Sequence, residues 1–145
     1  MTKLTEAKKT AFKWIDDNSE RISDFHQLIW NYAETSFREY KSVKAFADFH
    51  RKEGFKVVEG VAGMPTAYEA TWGEGKPVLS TYTEYDAVPS AWQDQVPYES
   101  AANPYRAGHT DPHSALGTGS LIGAVATKHA MEEHGIEGTI KVFGT

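Results

Sequence analysis

The chain of 145 residues contains no cysteine, no long apolar run and no excess of positive charge, and each absence excludes a class of protein. Without cysteine, neither a disulfide framework nor a thiolate zinc cluster can form. No apolar run is long enough to span a bilayer, and the start of the sequence lacks the apolar segment of a secretory signal. We therefore expect a cytoplasmic protein.

The net charge of −5 disfavours nucleic acid or an anionic membrane as a partner. Lysine and arginine are scattered along the chain rather than clustered, so no phosphate site is indicated. Hydrophobic residues make up 40% of the chain and charged residues 24%, which is typical of a globular domain with a core. The composition is therefore that of an ordinary globular domain without a nucleic acid or membrane partner.

Hydrophobic periodicity predicts three helices in the first part of the chain, over residues 4–15, 19–33 and 42–53. Strand patterns follow over residues 55–58, 66–72 and 77–85, then a helix that opens near Leu116 and runs to His134, and a last strand over 139–143. A strand, a crossover helix and another strand favour parallel pairing. The sequence predicts an α/β fold with a mostly parallel sheet flanked by helices.

In such sheets the working site lies beyond the carboxyl ends of the strands. Glu84 and Asp86 close one predicted strand, and Thr145 ends another. The long polar segment between them finishes with residues 108–114, which read Gly-His-Thr-Asp-Pro-His-Ser. We expect these three parts of the chain to meet at one edge of the sheet.

Asp111 and His113 are the strongest candidates for metal ligands. In an extended segment, residues separated by one position point to the same side, so both side chains can hold one ion or two adjacent ions. Pro112 between them restricts the backbone. Imidazole nitrogen and carboxylate oxygen suit zinc, manganese and related divalent ions. The alternative is a polar surface loop in which Asp-Pro starts a turn.

Three further residues are open to two interpretations each. In the functional interpretation, His109 is a third ligand, a base or a hydrogen-bond donor to a ligand carboxylate. In the other interpretation, it is a structural histidine bonded to the backbone. Glu84 and Asp86 share one face of their strand, where a carboxylate ligates a metal or orients a ligand imidazole. The alternative for both carboxylates is a solvated strand end or a helix cap.

Several segments resemble motifs of one enzyme family. They are residues 34–39 followed by Ser42, Thr83 to Pro89, Gly108 to His113, Leu116 to Ser120, and Val142 to Thr145. Together they resemble the N-terminal part of the catalytic domain of M20 metallopeptidases and amidohydrolases, in the aminobenzoyl-glutamate hydrolase B-like branch. The resemblance runs from about Ser19 to the end of the sequence.

The resemblance implies roles for four residues. Asp111 takes the place of the branch's cysteine ligand and His113 that of its histidine ligand. Asp86 matches an aspartate that orients the site, and His109 matches the first histidine of the metal loop. Aspartate in place of cysteine favours manganese-like or zinc ions with oxygen-rich shells, and leaves open whether one or two ions bind.

The resemblance also implies that the family's general base, its remaining ligands and a lid or dimerisation domain lie beyond Thr145. Residues 1–145 are then the N-terminal portion of a catalytic domain that works with the remaining C-terminal part of the protein, as a homo-oligomer. The implied activity is metal-dependent hydrolysis of a C–N bond in a small amide, such as an aryl or acyl amino acid. Two alternatives are a hydrolytic deaminase of an aromatic amine, of the nitroanthranilate aminohydrolase type, and a binding module of the same fold without catalysis.

Overall fold

The computed structural model describes residues 4–145, which form helices packed against a four-stranded sheet. In chain order the elements are α1 (Glu6–Asp17), α2 (Ser19–Tyr32), α3 (Tyr40–Lys52), β1 (Lys56–Glu59), a 3₁₀ turn (Val61–Gly63), β2 (Tyr68–Glu74), β3 (Val78–Thr83), α4 (His113–His134) and β4 (Gly138–Gly144). None of the described helices has both the length and the apolarity needed to cross a membrane.

The sheet has the strand order β1-β2-β4-β3. The α/β class and the flanking helices are confirmed, and so is the parallel pair that α4 connects, β3 with β4. The expectation of a mostly parallel sheet is wrong, because β1 with β2 and β2 with β4 are antiparallel. The connection between β1 and β2 is too short for the crossover that a parallel pair requires, so these two strands form a hairpin.

Helix α4 begins at His113, three residues before the expected start at Leu116. The Pro112 carbonyl accepts hydrogen bonds from the Ala115 and Leu116 amides, both at 2.9 Å, and this forms the first turn. Close packing of the helix on the sheet depends on Gly117, where a Cβ atom would lie 2.0 Å from the Glu84 carbonyl oxygen. The first turn of α4 is thereby held against the end of β3.

The core beneath the end of β3 is centred on Tyr85, which is fully buried. Its ring lies 5.1 Å from that of Phe46 on α3, and its hydroxyl donates to the Thr66 carbonyl. Glu84 and Asp86 flank Tyr85 in sequence and are only partly buried. Anchoring of Tyr85 in the core therefore fixes where the two neighbouring carboxylates emerge.

Candidate active site

The carboxyl ends of β3 and β4 meet as expected, and α4 begins beside them. The Thr145 amide donates to the Thr83 carbonyl at 3.0 Å, which joins the ends of the two parallel strands. Glu84 and Asp86 follow β3 directly, and His113 is the first residue of α4. The structure thus brings together Glu84, Asp86, Asp111 and His113 from two segments that are distant in sequence.

The closest contact in this group joins His113 to Asp86. His113 Nδ1 lies 2.6 Å from Asp86 Oδ1, and the other oxygen of Asp86 accepts a hydrogen bond from the Ser36 hydroxyl at 2.6 Å. Asp86 is therefore held from both sides and fixes the orientation of the imidazole. With Nδ1 acting as the donor, Nε2 of the neutral ring carries the free lone pair.

Two more carboxylates face that free nitrogen. Asp111 Oδ2 lies 3.5 Å from His113 Nε2, and Glu84 Oε2 lies 3.7 Å from it. Asp111 is the most exposed member of the group, with 59% of its side chain accessible, whereas His113, Asp86 and Glu84 are largely covered. The arrangement is a partly buried His113–Asp86 pair whose second imidazole nitrogen faces the exposed carboxylate of Asp111.

The electrostatics of the pair follow from this geometry. Partial burial by itself lowers the pKa of His113, but the hydrogen bond to Asp86 and the charges of Asp86, Glu84 and Asp111 outweigh it and raise the pKa above its usual value. Burial acts to raise the pKa of Asp86, and the hydrogen bonds from Ser36 and His113 reverse that effect and lower it.

The backbone around Asp111 differs from the expected extended segment. The His113 amide donates to the Asp111 carbonyl at 2.8 Å, so the chain turns at Pro112 before it enters α4. The expected extended conformation is wrong because the helix starts at His113 rather than beyond it. The side chains of Asp111 and His113 still approach each other, because the turn at Pro112 brings them together and not because they alternate along a strand.

The imidazole of His109 contacts the backbone of α2. It is 96% buried, and its Nε2 lies 3.3 Å from the Ile29 carbonyl oxygen, while its Nδ1 is buried without a hydrogen-bond partner. Burial lowers the pKa of the imidazole. This environment fits the interpretation of His109 as a structural histidine bonded to the backbone better than that of a ligand or base.

Two residues that support the site carry no role in the sequence-based prediction. Ser36 donates to Asp86, and Glu34 accepts from the Lys41 and Ser42 amides at the start of α3. Both lie in the segment 34–39, whose resemblance to a family motif is the only signal in the sequence that could have found them. The segment holds Asp86 from the side opposite to His113.

The donor atoms fit part of a metal site. Among residues 4–145, no three His, Asp or Glu side chains are arranged so that they could hold an ion by themselves. His113 Nε2 and Asp111 Oδ2 nevertheless provide the nitrogen and oxygen donors that zinc and manganese accept, and Asp86 holds the imidazole as carboxylates do behind metal-bound histidines. These two donors alone do not complete the coordination of a divalent ion.

Comparison with known proteins gives one sequence relative that covers almost all of the chain. No model of a known protein family matches. One of the subunits of the p-aminobenzoyl-glutamate hydrolase of Escherichia coli is 33% identical over 138 residues, which are 92% of this chain and 29% of that protein. The chain therefore spans less than a third of the length of this curated relative.

Solved structures show the same fold at lower identity. A protein from methicillin-resistant Staphylococcus aureus described as an aminohydrolase matches 94% of the chain and 34% of its own, at a TM-score of 0.74 and 20% identity. A dinuclear metal-binding peptidase of the M20 family from Bacillus subtilis matches 86% of the chain and 34% of its own, at 0.65 and 19%. The chain therefore shares the fold of these structures, one of which belongs to the M20 family, and is similar in sequence to the hydrolase subunit.

A third solved structure has the same fold. The aminobenzoyl-glutamate utilization protein of Klebsiella pneumoniae matches 93% of the chain and 38% of its own, with a TM-score of 0.62 and 13% identity. At these identities the three structures establish the fold and nothing about chemistry. The resemblance stated from the motifs of the sequence is confirmed by the curated relative and the fold together.

Proposed function

We propose that this chain supplies one side of a metal-dependent hydrolase centre that cleaves a C–N bond in a small amide. The observation that carries the proposal is the Asp86–His113 pair, at 2.6 Å, with the free imidazole nitrogen facing Asp111. A surface ion pair would leave both side chains mobile, whereas Ser36 and the first turn of α4 hold this one. The M20-like fold and the names of the relatives support the hydrolase class.

The residues divide into ligands and a positioning group. His113 and Asp111 would hold zinc or manganese, as one ion or as part of a pair, and Glu84 is a further candidate ligand. Asp86 keeps the Nδ1 proton of His113 in place, so that Nε2 stays available. A bound divalent ion would polarise the substrate carbonyl and lower the pKa of a water molecule towards neutrality.

The substrate class follows from the relatives. The curated relative is named for hydrolysis of p-aminobenzoyl-glutamate, an aryl amide of an amino acid, and we propose an aryl or acyl amino acid here. The second candidate is the release of ammonia from an aromatic amine, and one solved structure of the same fold is described as an aminohydrolase. The two reactions differ in product, since amide cleavage gives an acid and an amine, whereas deamination gives ammonia.

The proposal includes a division of the protein. We propose that residues 1–145 form the N-terminal portion of a catalytic domain, and that the general base and the other ligands lie elsewhere in the protein. The curated relative is named as one subunit of an enzyme, which supports a proposed oligomeric assembly. Light scattering on the purified complete protein gives the subunit number directly.

The test is metal content and turnover of the complete natural protein and two histidine variants. His113→Gln removes the proposed ligand, and His134→Gln changes the last residue of the same helix as a matched control. We expect His113→Gln to lose most of its bound metal and its amide hydrolysis, and His134→Gln to keep both. Full metal content and turnover in His113→Gln contradict the proposal, and a wild-type protein with neither metal nor turnover supports a binding module.

A further inference from the structure

A groove of about 630 Å³ lies between α2 and α3, and none of the candidate active-site residues lines it. At one end, Lys41 at the start of α3 lies over the ring of Tyr32 at the end of α2. At the other end, Arg21 of α2 lies over the ring of Phe49 of α3, so the two helices run in opposite directions. Ligand pockets in proteins are roughly 300–1,000 Å³, so the groove has room for a small molecule.

The floor of the groove is apolar and mostly aromatic. It consists of Phe25, Leu28, Tyr32, Ala45 and Phe49. Phe25 and Phe49 are buried, with their ring centroids 5.0 Å apart, so the core holds this part of the floor in place. Leu28 is 40% exposed at the surface of the floor. An apolar group that covers these side chains removes hydrocarbon surface from water.

The rim of the groove is basic. Four of the 15 lysine and arginine residues of the chain line the groove, although they are scattered in the sequence. They are Arg21, Lys41, Lys44 and Lys52. The lining includes only two carboxylates, Asp24 and Asp48, so it is net positive in a chain whose net charge is −5. This potential favours an anion and repels a metal ion or an organic cation.

The two ends of the groove differ in how their cations are neutralised. Arg21 is already paired with Glu53, at 2.6 Å. Lys41 Nζ lies 5.8 Å from the centroid of the Tyr32 ring, and none of the lysine ion pairs within residues 4–145 includes it.

Lys44 lies one turn from Lys41 on α3 and is bonded to Asp48 at 2.9 Å. An ammonium group has three N–H donors, so Lys44 keeps donors for a second acceptor. A carboxylate that accepts from Lys41 and Lys44 therefore gains two charge-assisted hydrogen bonds at this end of the groove. A small inorganic anion makes the same hydrogen bonds but leaves the apolar floor uncovered.

We propose that this groove binds a small carboxylate with an apolar body, whose carboxylate lies at Lys41 and Lys44 and whose body lies on the floor. The inference does not depend on the proposed hydrolase function, because α2 and α3 alone form the groove. Lys41 is the residue that selects an anionic ligand, and Leu28 is the exposed apolar side chain that the ligand covers.

Calorimetric titration of the complete natural protein with three probes of one ring system tests the charge requirement. At neutral pH naphthoate is an anion, naphthylmethylamine is a cation and naphthylmethanol is uncharged. We expect naphthoate to bind about ten-fold more tightly than naphthylmethanol, and naphthylmethylamine to bind more weakly than either. Binding of naphthylmethylamine as tight as that of naphthoate overturns the proposal, and so does the absence of naphthoate binding.

Two surface variants locate the probe. Lys41→Gln removes the charge, and we expect about ten-fold weaker binding of naphthoate and no change for naphthylmethanol. Lys8→Gln, at an exposed lysine of α1 outside the groove, is the matched control. Leu28→Glu places a carboxylate on the floor, and we expect it to abolish naphthoate binding. Phe12→Glu, at a residue of α1 that is 52% exposed, is its control.

The same titrations after metal chelation exclude coordination of the carboxylate by a metal. Naphthoate binding that survives chelation and weakens in both Lys41→Gln and Leu28→Glu supports the groove. Binding that disappears on chelation and is unchanged in both variants means that a metal centre binds the probe, which overturns the groove assignment and leaves the hydrolase proposal standing. Because Lys41 and Leu28 are exposed, we expect both variants to fold, and naphthylmethanol binding by Lys41→Gln checks this directly.

Discussion

His50 makes the stability of this fold depend on pH in a way that can be calculated. The residue lies on α3 with no exposed surface, packed between the rings of Phe55 and Tyr68. Its Nδ1 pairs with the Phe46 carbonyl at 3.0 Å, and its Nε2 is buried without a partner. Burial lowers the pKa of His50 from 6.5 to about 4.

The direction of the pH dependence of stability follows from whether the folded or the unfolded chain binds the proton. Between pH 6.5 and 4 the unfolded chain protonates His50 and the folded chain does not, so acidification favours unfolding. The contribution of His50 is complete above about pH 6.5, falls as the pH decreases towards 4, and is constant below that. At about 1.36 kcal/mol for each unit, the depressed pKa is worth about 3 kcal/mol of unfolding free energy.

Urea unfolding at a series of pH values between about 7 and 4.5 measures this slope. His50→Phe keeps an aromatic ring between Phe55 and Tyr68 and removes the titration, so we expect a flatter curve of unfolding free energy against pH than in the wild type. His134→Phe, at the end of α4, controls for the loss of a histidine that is not buried in the core. Wild-type and His50→Phe curves that stay parallel across this range would refute the reasoning.

Three further predictions concern the metal site, the packing of α4 against the end of β3, and a residue with a positive φ in the 3₁₀ turn. Asp86→Asn removes the negative charge that holds His113 and leaves one acceptor oxygen where the carboxylate has two, one for His113 and one for Ser36. We expect metal affinity in a metal titration to fall by about 10- to 100-fold; unchanged affinity contradicts that role. Gly117→Ala places a Cβ atom 2.0 Å from the Glu84 carbonyl oxygen, and we expect about 1–3 kcal/mol of lost stability in urea unfolding. Gly119→Ala, with nothing within 4 Å, is the control and should gain up to about 1 kcal/mol. Ala62 is exposed with a φ of 53°, so Ala62→Gly should add about 1 kcal/mol in the same assay.

Local patterns were sufficient for most of the elements. The helical spacing over residues 19–33 and the strand alternation over 139–143 predict α2 and β4 to within a residue or two. These segments contain enough apolar side chains at one period to be distinctive. The start of α4 was misplaced because small residues between Ser114 and Gly119 conceal the helical period.

The pairing of the strands could not be predicted in the same way. The central contact of the sheet joins Trp72 on β2 to Ile140 on β4, and nothing local in either strand specifies the other as its partner or the antiparallel direction. The parallel pair was predictable because a single crossover helix has only one common handedness and direction. The order of the strands in the sheet depends on the whole chain, so it cannot be predicted from the spacing of apolar residues within one strand.

The candidate site was predicted in outline and changed in its details. Asp86 and His113 meet as the positions of the strand ends suggested. The placement of His109 against the Ile29 carbonyl depends on how the long loop crosses α2, which a motif does not describe.

The Asp86 carboxylate connects three parts of the chain, and this has a consequence for folding kinetics. It bonds to Ser36, 50 positions earlier, and to His113, 27 positions later, so both loops must close before the site exists. Contacts between such distant positions carry a high loop-closure entropy and form late. We therefore expect a ligand that needs this geometry to slow unfolding more than it accelerates folding.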